Sequence, residues 1–256
     1  MDERSFDVVV VGGGPAGLTA AIALAGTGIA TALVAPHAPA DNRTTALLAA
    51  SVTALDALGI WARCRKNAAP LKVMRIVDDT ARLIRAPEVA FSADEIGVEA
   101  FGHNIENRYL LAALEACADE IPTLTRINAA ADGIDLDDTG VTVLTRDGTV
   151  RARLVIGADG RNSPCRAAAG ISVEGWSYPQ TALTFNLAHT RPHHDTSTEF
   201  HTESGPFTLV PLPGLRSSLV CVVEPEAADE LQTLDDAALA AEIEARSHSI
   251  LGKISV

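Results

Sequence analysis

The chain has 256 residues, which at about 150 per domain leaves room for one or two domains with a real core. Apolar residues make up 47% and charged ones 21%, a globular balance that excludes a disordered or peptide-like scaffold. With 20 basic against 33 acidic residues, a formal charge of -13 and no local basic patch, nucleic acid is excluded as a partner.

Cys64, Cys117, Cys165 and Cys221 lie far apart with no C-x-x-C, which predicts reduced thiols and a cytoplasmic location. From Val8 to Pro36 there is no charged residue, a run long enough to span a bilayer. Gly12, Gly13, Gly14, Gly17, Gly26 and Gly28, with Pro15, break it where a strand-loop-helix-strand unit turns, so a membrane span is not expected. The preceding segment carries Asp2, Glu3 and Asp7 against Arg4 alone, which does not read as a signal peptide, and the N-terminus is expected to stay on.

In chain order, the β-branched run Phe6 to Val11 predicts a strand buried on both faces. Pro15 to Ala25, rich in Ala and Leu and closed by Gly26, predicts a helix, and Ala30 to Ala35 a second strand. Together they form a βαβ unit with an expected right-handed crossover. Thr44 or Thr45 is expected to cap a helix running to Leu58. Lys72 to Val77 and Arg82 to Arg85 suggest strands that leave the first domain. Asn107 is expected to cap a helix through Glu120, on which Leu110, Leu111, Leu114 and Cys117 recur at helical spacing. From Ile127 to Ile156 the pattern is a β meander with turns at Asp137 to Gly140 and Asp147-Gly148. Thr181 to Ala188, Thr196 to His201, Phe207 to Leu212 and Ser217 to Val223 fit a separate sheet, with Pro213-Gly214 as a turn. A last helix from Leu234 to about His248 has Thr233 and Asp236 at capping-box spacing. The expected class is α/β: a Rossmann-like domain of residues 1–70 and 101–170 with an inserted β-sheet domain of residues 71–100 and 171–256.

Two motifs carry chemistry. Gly12-Gly13-Gly14-Pro15-Ala16-Gly17 is a G-x-G-x-x-G between a strand and a helix. There the first glycine makes the tight turn, the second lets backbone approach a pyrophosphate, and the third lets helix pack on strand. The helix N-terminus supplies unpaired N–H groups for the anion. The acidic residue expected about 20 positions later to take the ribose hydroxyls is missing. Ala35 stands in its place, which costs about 1 to 2 kcal/mol of cofactor affinity unless Asp41 or a backbone group replaces it. The same gap, with Arg43 nearby, would suit the 2′-phosphate of NADP, so an NADP-dependent dehydrogenase remains open at this point. The second motif, Leu154 to Arg166, is a strand ending at Asp159-Gly160, with Ser163 as a helix cap and Pro164 at the first helical position. A carboxylate between a strand's C-terminal end and a helix start lies where open α/β sheets bind ligands.

The chain resembles the class A flavoprotein monooxygenases, and among them the ubiquinone-biosynthesis aromatic hydroxylases. The likeness lies in the GGGPAG loop, Asp41 to Leu47, Leu58-Gly59-Ile60-Trp61, Asn107-Arg108-Tyr109-Leu110 with Leu114, and the GADGRNS segment. It continues through Trp176 to Gln180 and Gly205-Pro206-Phe207 to Leu209 to Gly214. The resemblance implies that Gly12, Gly14, Pro15, Ala16 and Gly17 cradle the FAD pyrophosphate. It implies that Arg43 and Arg108 reach the FAD, and that Asp159 and Gly160 meet its ribityl or pyrophosphate region. FAD would be resident and NAD(P)H a transient co-substrate, because only one dinucleotide loop is present. Reduced flavin would take up O2 to give a C4a-hydroperoxide, which hydroxylates a phenolic, polyprenylated quinone precursor. No protein general base is implied and none is named. An apolar second sheet over the flavin would keep water out. Partners would be that aromatic substrate, a membrane surface visited briefly at the inner membrane, and other quinone-biosynthesis proteins.

One departure counts against full activity. The family's third motif, a G-D followed by an A-A-H-like segment, has no counterpart downstream of residue 170, so a truncated chain is expected. The competing reading is therefore a flavin-poor fragment or assembly subunit without turnover. His189, His193, His194 and His201 cluster without a ligand pattern and predict a surface loop, with no metal site.

Overall fold

The computed structural model describes residues 3–37 and 41–256. The first elements are β1 (Glu3–Val11), α1 (Pro15–Gly26) and β2 (Thr31–Val34), so the charge-free run becomes strand, helix and strand. Val8 to Val11 are buried, as a strand covered on both faces requires. No helix among the described residues is long and apolar enough to cross a membrane.

The next stretch corrects the expected cap at Thr44 or Thr45. Residues Thr44–Leu48 form strand β3, and helix α2 begins only at Ala49 and ends at Ala57. The two β-branched threonines pair antiparallel with β7 (Gly102–Glu106), Thr44 opposite Glu106 and Thr45 opposite Ile105, and this ladder outweighs a cap. Between them lie α3 (Trp61–Cys64), β4 (Ala68–Leu71), β5 (Val73–Asp78) and β6 (Val89–Ser92). Arg82 to Arg85 are not a strand. The Asp78 carboxylate accepts the amides of Thr80 and Ala86 and closes residues 79–86 into a loop.

Helix α4 (Asn107–Asp119) leads to β8 (Leu124–Ile127), the meander β9 (Gly133–Asp137), β10 (Gly140–Thr145) and β11 (Gly148–Gly157), and the short α5 (Pro164–Ala168). Then follow β12 (Thr181–His189), β13 (Thr196–His201), β14 (Pro206–Leu212) and β15 (Arg216–Val223), close to the expected strands. The helix expected from Leu234 to about His248 is α7 (Asp236–Arg246), and a helix that was not expected, α6 (Pro225–Thr233), precedes it; β16 (Ile254–Ser255) follows. Leu234 is extended and separates the two helices, and Thr233 Oγ1 donates back to the Glu230 carbonyl. The cap of α7 is Asp235, which accepts from the Ala238 amide at 2.8 Å.

Contacts divide the chain into two compact units. The first comprises the described residues of Met1–Ala40 with Leu55–Arg63 and Leu110–Gly175. The second comprises Asp41–Ala54, Cys64–Tyr109 and Trp176–Val256. Residues 41–54 and 101–109 thus group with the second unit, where β3, β7 and β4 form a three-stranded sheet.

In the first unit the strand order is β8-β2-β1-β11-β10-β9. The first four are parallel and the last two antiparallel. Its core joins Val9, Val11, Ala32, Val34, Val141 and Val150 with Cys165 of α5. In the second unit a seven-stranded sheet runs β16-β12-β15-β14-β13-β5-β6. One of its faces packs Phe200, Phe207, Leu209 and Leu219 against Leu231 of α6 and Leu239 and Ile243 of α7. Side chains alternate along each strand, so Thr184, Asn186, Ser218 and Val220, which pair across β12 and β15, share the opposite face. One face of the sheet is thus filled by α6 and α7, and the other carries polar and apolar side chains together.

The four cysteines are buried thiols. His189, His193 and His201 are held by hydrogen bonds of their rings. His189 contacts the Arg191 carbonyl and Ser217 Oγ, His193 contacts the Leu212 carbonyl, and His201 contacts Glu199.

Candidate cofactor-binding site

The glycine loop and the Asp159 segment lie against each other inside the first unit. The Ala158 amide donates to the Val11 carbonyl at 2.8 Å, and the Gly12 amide to the Val34 carbonyl at 3.0 Å. Gly12 turns the chain at φ +118°, and a Cβ there would be driven into the Ala158 carbonyl. A Cβ on Gly17 would meet the Gly12 carbonyl oxygen, so the first turn of α1 sits directly on the loop.

Gly14 differs from both. It is the N-cap of α1 at φ -74° and ψ 176°, makes no side-chain cap, and a Cβ there meets nothing within 4 Å. Pro15 occupies the first helical position and the first turn holds no acidic residue. An uncapped N-terminus of a twelve-residue helix, with open space above the glycine, fits a diphosphate: N–H groups and the helix dipole both favour an anion there.

Asp159 follows the last residues of β11. Its Oδ1 accepts from Ser163 Oγ at 2.5 Å and its Oδ2 from the Cys165 amide at 2.8 Å, while Ser163 Oγ caps α5 by accepting from the Arg166 amide at 3.0 Å. Burial works to raise the Asp159 carboxyl, but the hydrogen bonds from Ser163 and Cys165 outweigh it and hold the group below its ordinary value. The Cys165 thiol is pushed up to about 12, first by burial and then by the neighbouring Asp159. Asp159 is thus an ionised carboxylate fixed in place. Two donors leave each oxygen with a further lone pair for a polyol hydroxyl. Gly160, at φ +84°, makes the turn that leads from Asp159 into the cap of α5.

At the end of β2, Ala35 and His37 help line a cavity of about 360 Å³, with Gly13, Leu18, Glu115, Arg126 and Asn128 around it. Asn128 Oδ1 accepts the His37 amide at 2.8 Å, and Arg126 lies 3.6 Å from Glu115. The cavity therefore holds a carboxylate, from α4, that sequence spacing alone did not point to. Asp41, considered as the replacement for the missing acid, is committed elsewhere. It accepts from Arg43 Nε and Nη2, both at 2.9 Å, and from Asn107 Nδ2 at 2.8 Å. These bonds, led by that from Arg43, hold its carboxyl well below the usual range.

The two candidate arginines both belong to the second unit, and each is paired with a carboxylate. Arg43 is 72% exposed in its pair with Asp41. Arg108 donates to Glu106 at 2.9 Å and stacks 4.7 Å from the Tyr109 ring centroid. Glu106 also receives Arg216, at 3.1 and 3.2 Å, and Asn186 at 3.4 Å. Burial opposes the charge on Glu106, yet the bonds and charges of Arg216 and Arg108 prevail and lower its carboxyl. Sequence reading missed Glu106, Arg216 and Asn186. The available signal was a lone carboxylate at a strand-helix junction directly before Asn107 and Arg108.

These features agree with known proteins. The model of the FAD binding domain family matches residues 5–255. The chain is 34% identical to the ubiquinone hydroxylase UbiL of Rhodospirillum rubrum over 98% of its own length and 59% of that protein's. It is 31% identical to the 3-demethoxyubiquinol 3-hydroxylase of Escherichia coli, over 100% of this chain and 67% of that one. The chain thus spans about 60% to two thirds of these relatives. In fold it is similar to PqsL, a probable FAD-dependent monooxygenase of Pseudomonas aeruginosa, with a TM-score of 0.78 at 22% identity over 99% of this chain and 73% of that one. A glycine loop shaped for a dinucleotide, lying within the stretch from 5 to 255 that one family model matches, means that this chain belongs to the FAD binding domain family.

Proposed function

We propose that this protein is an FAD-dependent aromatic hydroxylase that uses NAD(P)H and O2 on a phenolic, polyprenylated precursor of a quinone. The observation that carries the reading is the uncapped α1 N-terminus at Gly14 packed against the segment that fixes Asp159. The relatives named as hydroxylases of ubiquinone or its precursor support the aromatic substrate.

Bound FAD supplies the transfer of electrons from NAD(P)H and the activation of O2. The chain's own residues bind and orient. Gly12 makes the turn, and Gly14, Pro15, Ala16 and Gly17 present the helix N-terminus to the diphosphate. Asp159, with Gly160 beside it, accepts hydroxyls of the ribityl chain. Arg43 and Arg108 supply positive charge, and both are presented by carboxylates of the second unit. A cavity of about 250 Å³ in the second unit, lined by Thr44, Thr184, Asn186 and Ser218 together with Phe185 and Val220, supplies polar groups to orient a phenol and apolar surface to hold its ring. The protein works in the cytoplasm and touches the inner membrane surface briefly, where a prenylated substrate is reached, alongside other quinone-biosynthesis proteins.

The test is direct. Purified protein should be yellow, or turn so on adding FAD, and should consume NAD(P)H and O2 faster when a phenol is present. A folded protein that stays colourless with added FAD overturns the reading in favour of a flavin-poor subunit. Tight NADP binding without flavin would favour a dehydrogenase.

A further inference from the structure

Beside the glycine loop, inside the first unit, the end of β2 closes on residue 13: a Cβ placed on Gly13 would stand 2.8 Å from the Ala35 methyl. Ala35 brings no polar side-chain atom to that spot, so the carboxylate called for about 20 positions after the loop has no source at the end of β2. The cavity of about 360 Å³ that opens there has two kinds of wall. Leu18, Leu33 and Ile127, each buried, make part of it apolar, and Glu115, Arg126 and Asn128 supply polar groups. Apolar walls with a few placed polar groups suit a nucleoside, whose flat base is apolar on its faces and whose ribose carries hydroxyls.

The charges of that wall are unevenly shared. Glu115 and Asp119 stand one turn apart on the flank of α4, whose buried face holds Leu110, Leu114 and Cys117. Arg126 of β8 lies near both. Its Nη1 donates to Asp119 Oδ1 at 2.7 Å, whereas its Nη2 stays 3.6 Å from Glu115 Oε1, beyond hydrogen-bond range. Asp119 therefore takes the guanidinium, and Glu115 feels its attraction while keeping its acceptor capacity for another donor. Two carboxylates against one guanidinium leave these three side chains with an excess negative charge.

We propose that Glu115 takes the place of the acid missing at residue 35: its carboxylate accepts the ribose hydroxyls at the adenosine end of the bound nucleotide, and its charge turns away a ribose that carries a 2′-phosphate. The proposal rests on the reading of the glycine loop as the FAD site, and all of its residues belong to the first unit. A hydroxyl donates to an ionised carboxylate in a charge-assisted bond, whereas a phosphate ester on the same oxygen has no proton to donate there and adds about two negative charges. The cavity thereby selects the free ribose of FAD or ADP over the 2′-phosphorylated ribose of NADP, a choice that the gap at Ala35 leaves open in the sequence.

The test uses nucleotides that differ only at the ribose: ADP, 2′,3′-dideoxy-ADP and ADP 2′-phosphate, titrated calorimetrically into apo-protein, with FAD affinity read separately from flavin fluorescence. Wild type should bind ADP about tenfold more tightly than either analogue, the ratio expected of one charge-assisted contact. In Glu115→Ala, where alanine preserves the helix, both ratios should fall to about threefold or less and FAD should bind about tenfold more weakly. Glu115→Gln keeps one acceptor oxygen and removes the charge. It should lose the discrimination against the 2′-phosphate and retain part of that against the dideoxy analogue, and it carries the test if the alanine variant does not fold. Ratios that persist unchanged in the variants would put the ribose on another group and overturn the proposal, as would a wild type that binds all three nucleotides alike or prefers the 2′-phosphate. If the wild type still takes FAD in those cases, the proposal falls alone; a wild type that takes neither FAD nor ADP overturns the cofactor reading and the proposal together.

Discussion

Replacing Gly17 by alanine is expected to lower Tm by about 6 to 12 °C and leave much of the first unit unfolded under mild denaturing conditions. The added Cβ would run into the Gly12 carbonyl oxygen and come within 3.2 Å of the Ala158 Cβ. A carbonyl in a tight turn cannot swing aside like the tip of a long side chain, so α1 must lift from the sheet. That lift loosens Leu18, Ala21 and Ile22, each at most 2% exposed. Overpacking costs about 1 to 3 kcal/mol at ordinary core sites, and backbone obstacles lie at the upper end. Against a total stability of about 5 to 15 kcal/mol this is a large fraction, and at about 2 to 4 °C per kcal/mol it gives the stated shift. Helix propensity alone favours alanine by about 1 kcal/mol and predicts the opposite sign. Thermal denaturation followed by circular dichroism decides between them: an unchanged or raised Tm would mean that α1 and the turn at Gly12 are not in backbone contact.

Asp159→Asn is expected to lower stability at neutral pH and to flatten its dependence on acid. Asparagine keeps the shape but offers one acceptor where Ser163 Oγ and the Cys165 amide need two, a loss of about 1 to 3 kcal/mol. The folded-state carboxyl of Asp159 lies below its ordinary value, because the hydrogen bonds of Ser163 and Cys165 overcome burial. A depressed carboxyl contributes stability that is fully present above its unfolded value, near pH 4, and is lost as the pH falls through the lower folded value. The wild-type curve should therefore drop through this acid window and approach the curve of the variant, which lacks the titrating group. Urea denaturation at a series of pH values measures both curves, and parallel acid limbs in the two proteins would rule out this role for Asp159.

Much of the first unit was legible because its signals are local. The buried valines of β1, the glycines at 12, 14 and 17 and the Ala-rich helix after Pro15 each act through neighbours in sequence, and Ser163 and Pro164 mark the start of α5 in the same way. Thr44 and Thr45 misled because a cap and a strand favour the same residue, and only the partner strand at 102–106 decides. Helix α6 was missed because its acidic segment after Pro225 reads as a turn following β15, and only the packing of Ala228 and Leu231 into the core of the second unit marks it as helical. The partners of the arginines were hidden for a different reason. Glu106 and Arg216 are 110 positions apart, and no periodicity links a buried carboxylate to a guanidinium at that distance. Glu115 escaped notice because a family pattern looks for the ribose acid at the end of β2, whereas the carboxylate beside that cavity comes from α4.

Gly14 allows folding and cofactor binding to be separated. Its φ of -74° and ψ of 176° are open to any L-residue, and its Cβ direction is empty to 4 Å. Aspartate there would cap α1 and suit the helix dipole, yet would place a carboxylate where the diphosphate is to sit. The most direct measurement is a fluorescence titration of wild type and Gly14→Asp with FAD, with Tm recorded for both apo-proteins. The wild type should bind, and the variant should melt at the same or a higher temperature while its affinity falls by about 100-fold or more, roughly 2.7 kcal/mol. A variant that takes FAD as tightly as the wild type would contradict the placement of the cofactor at this helix.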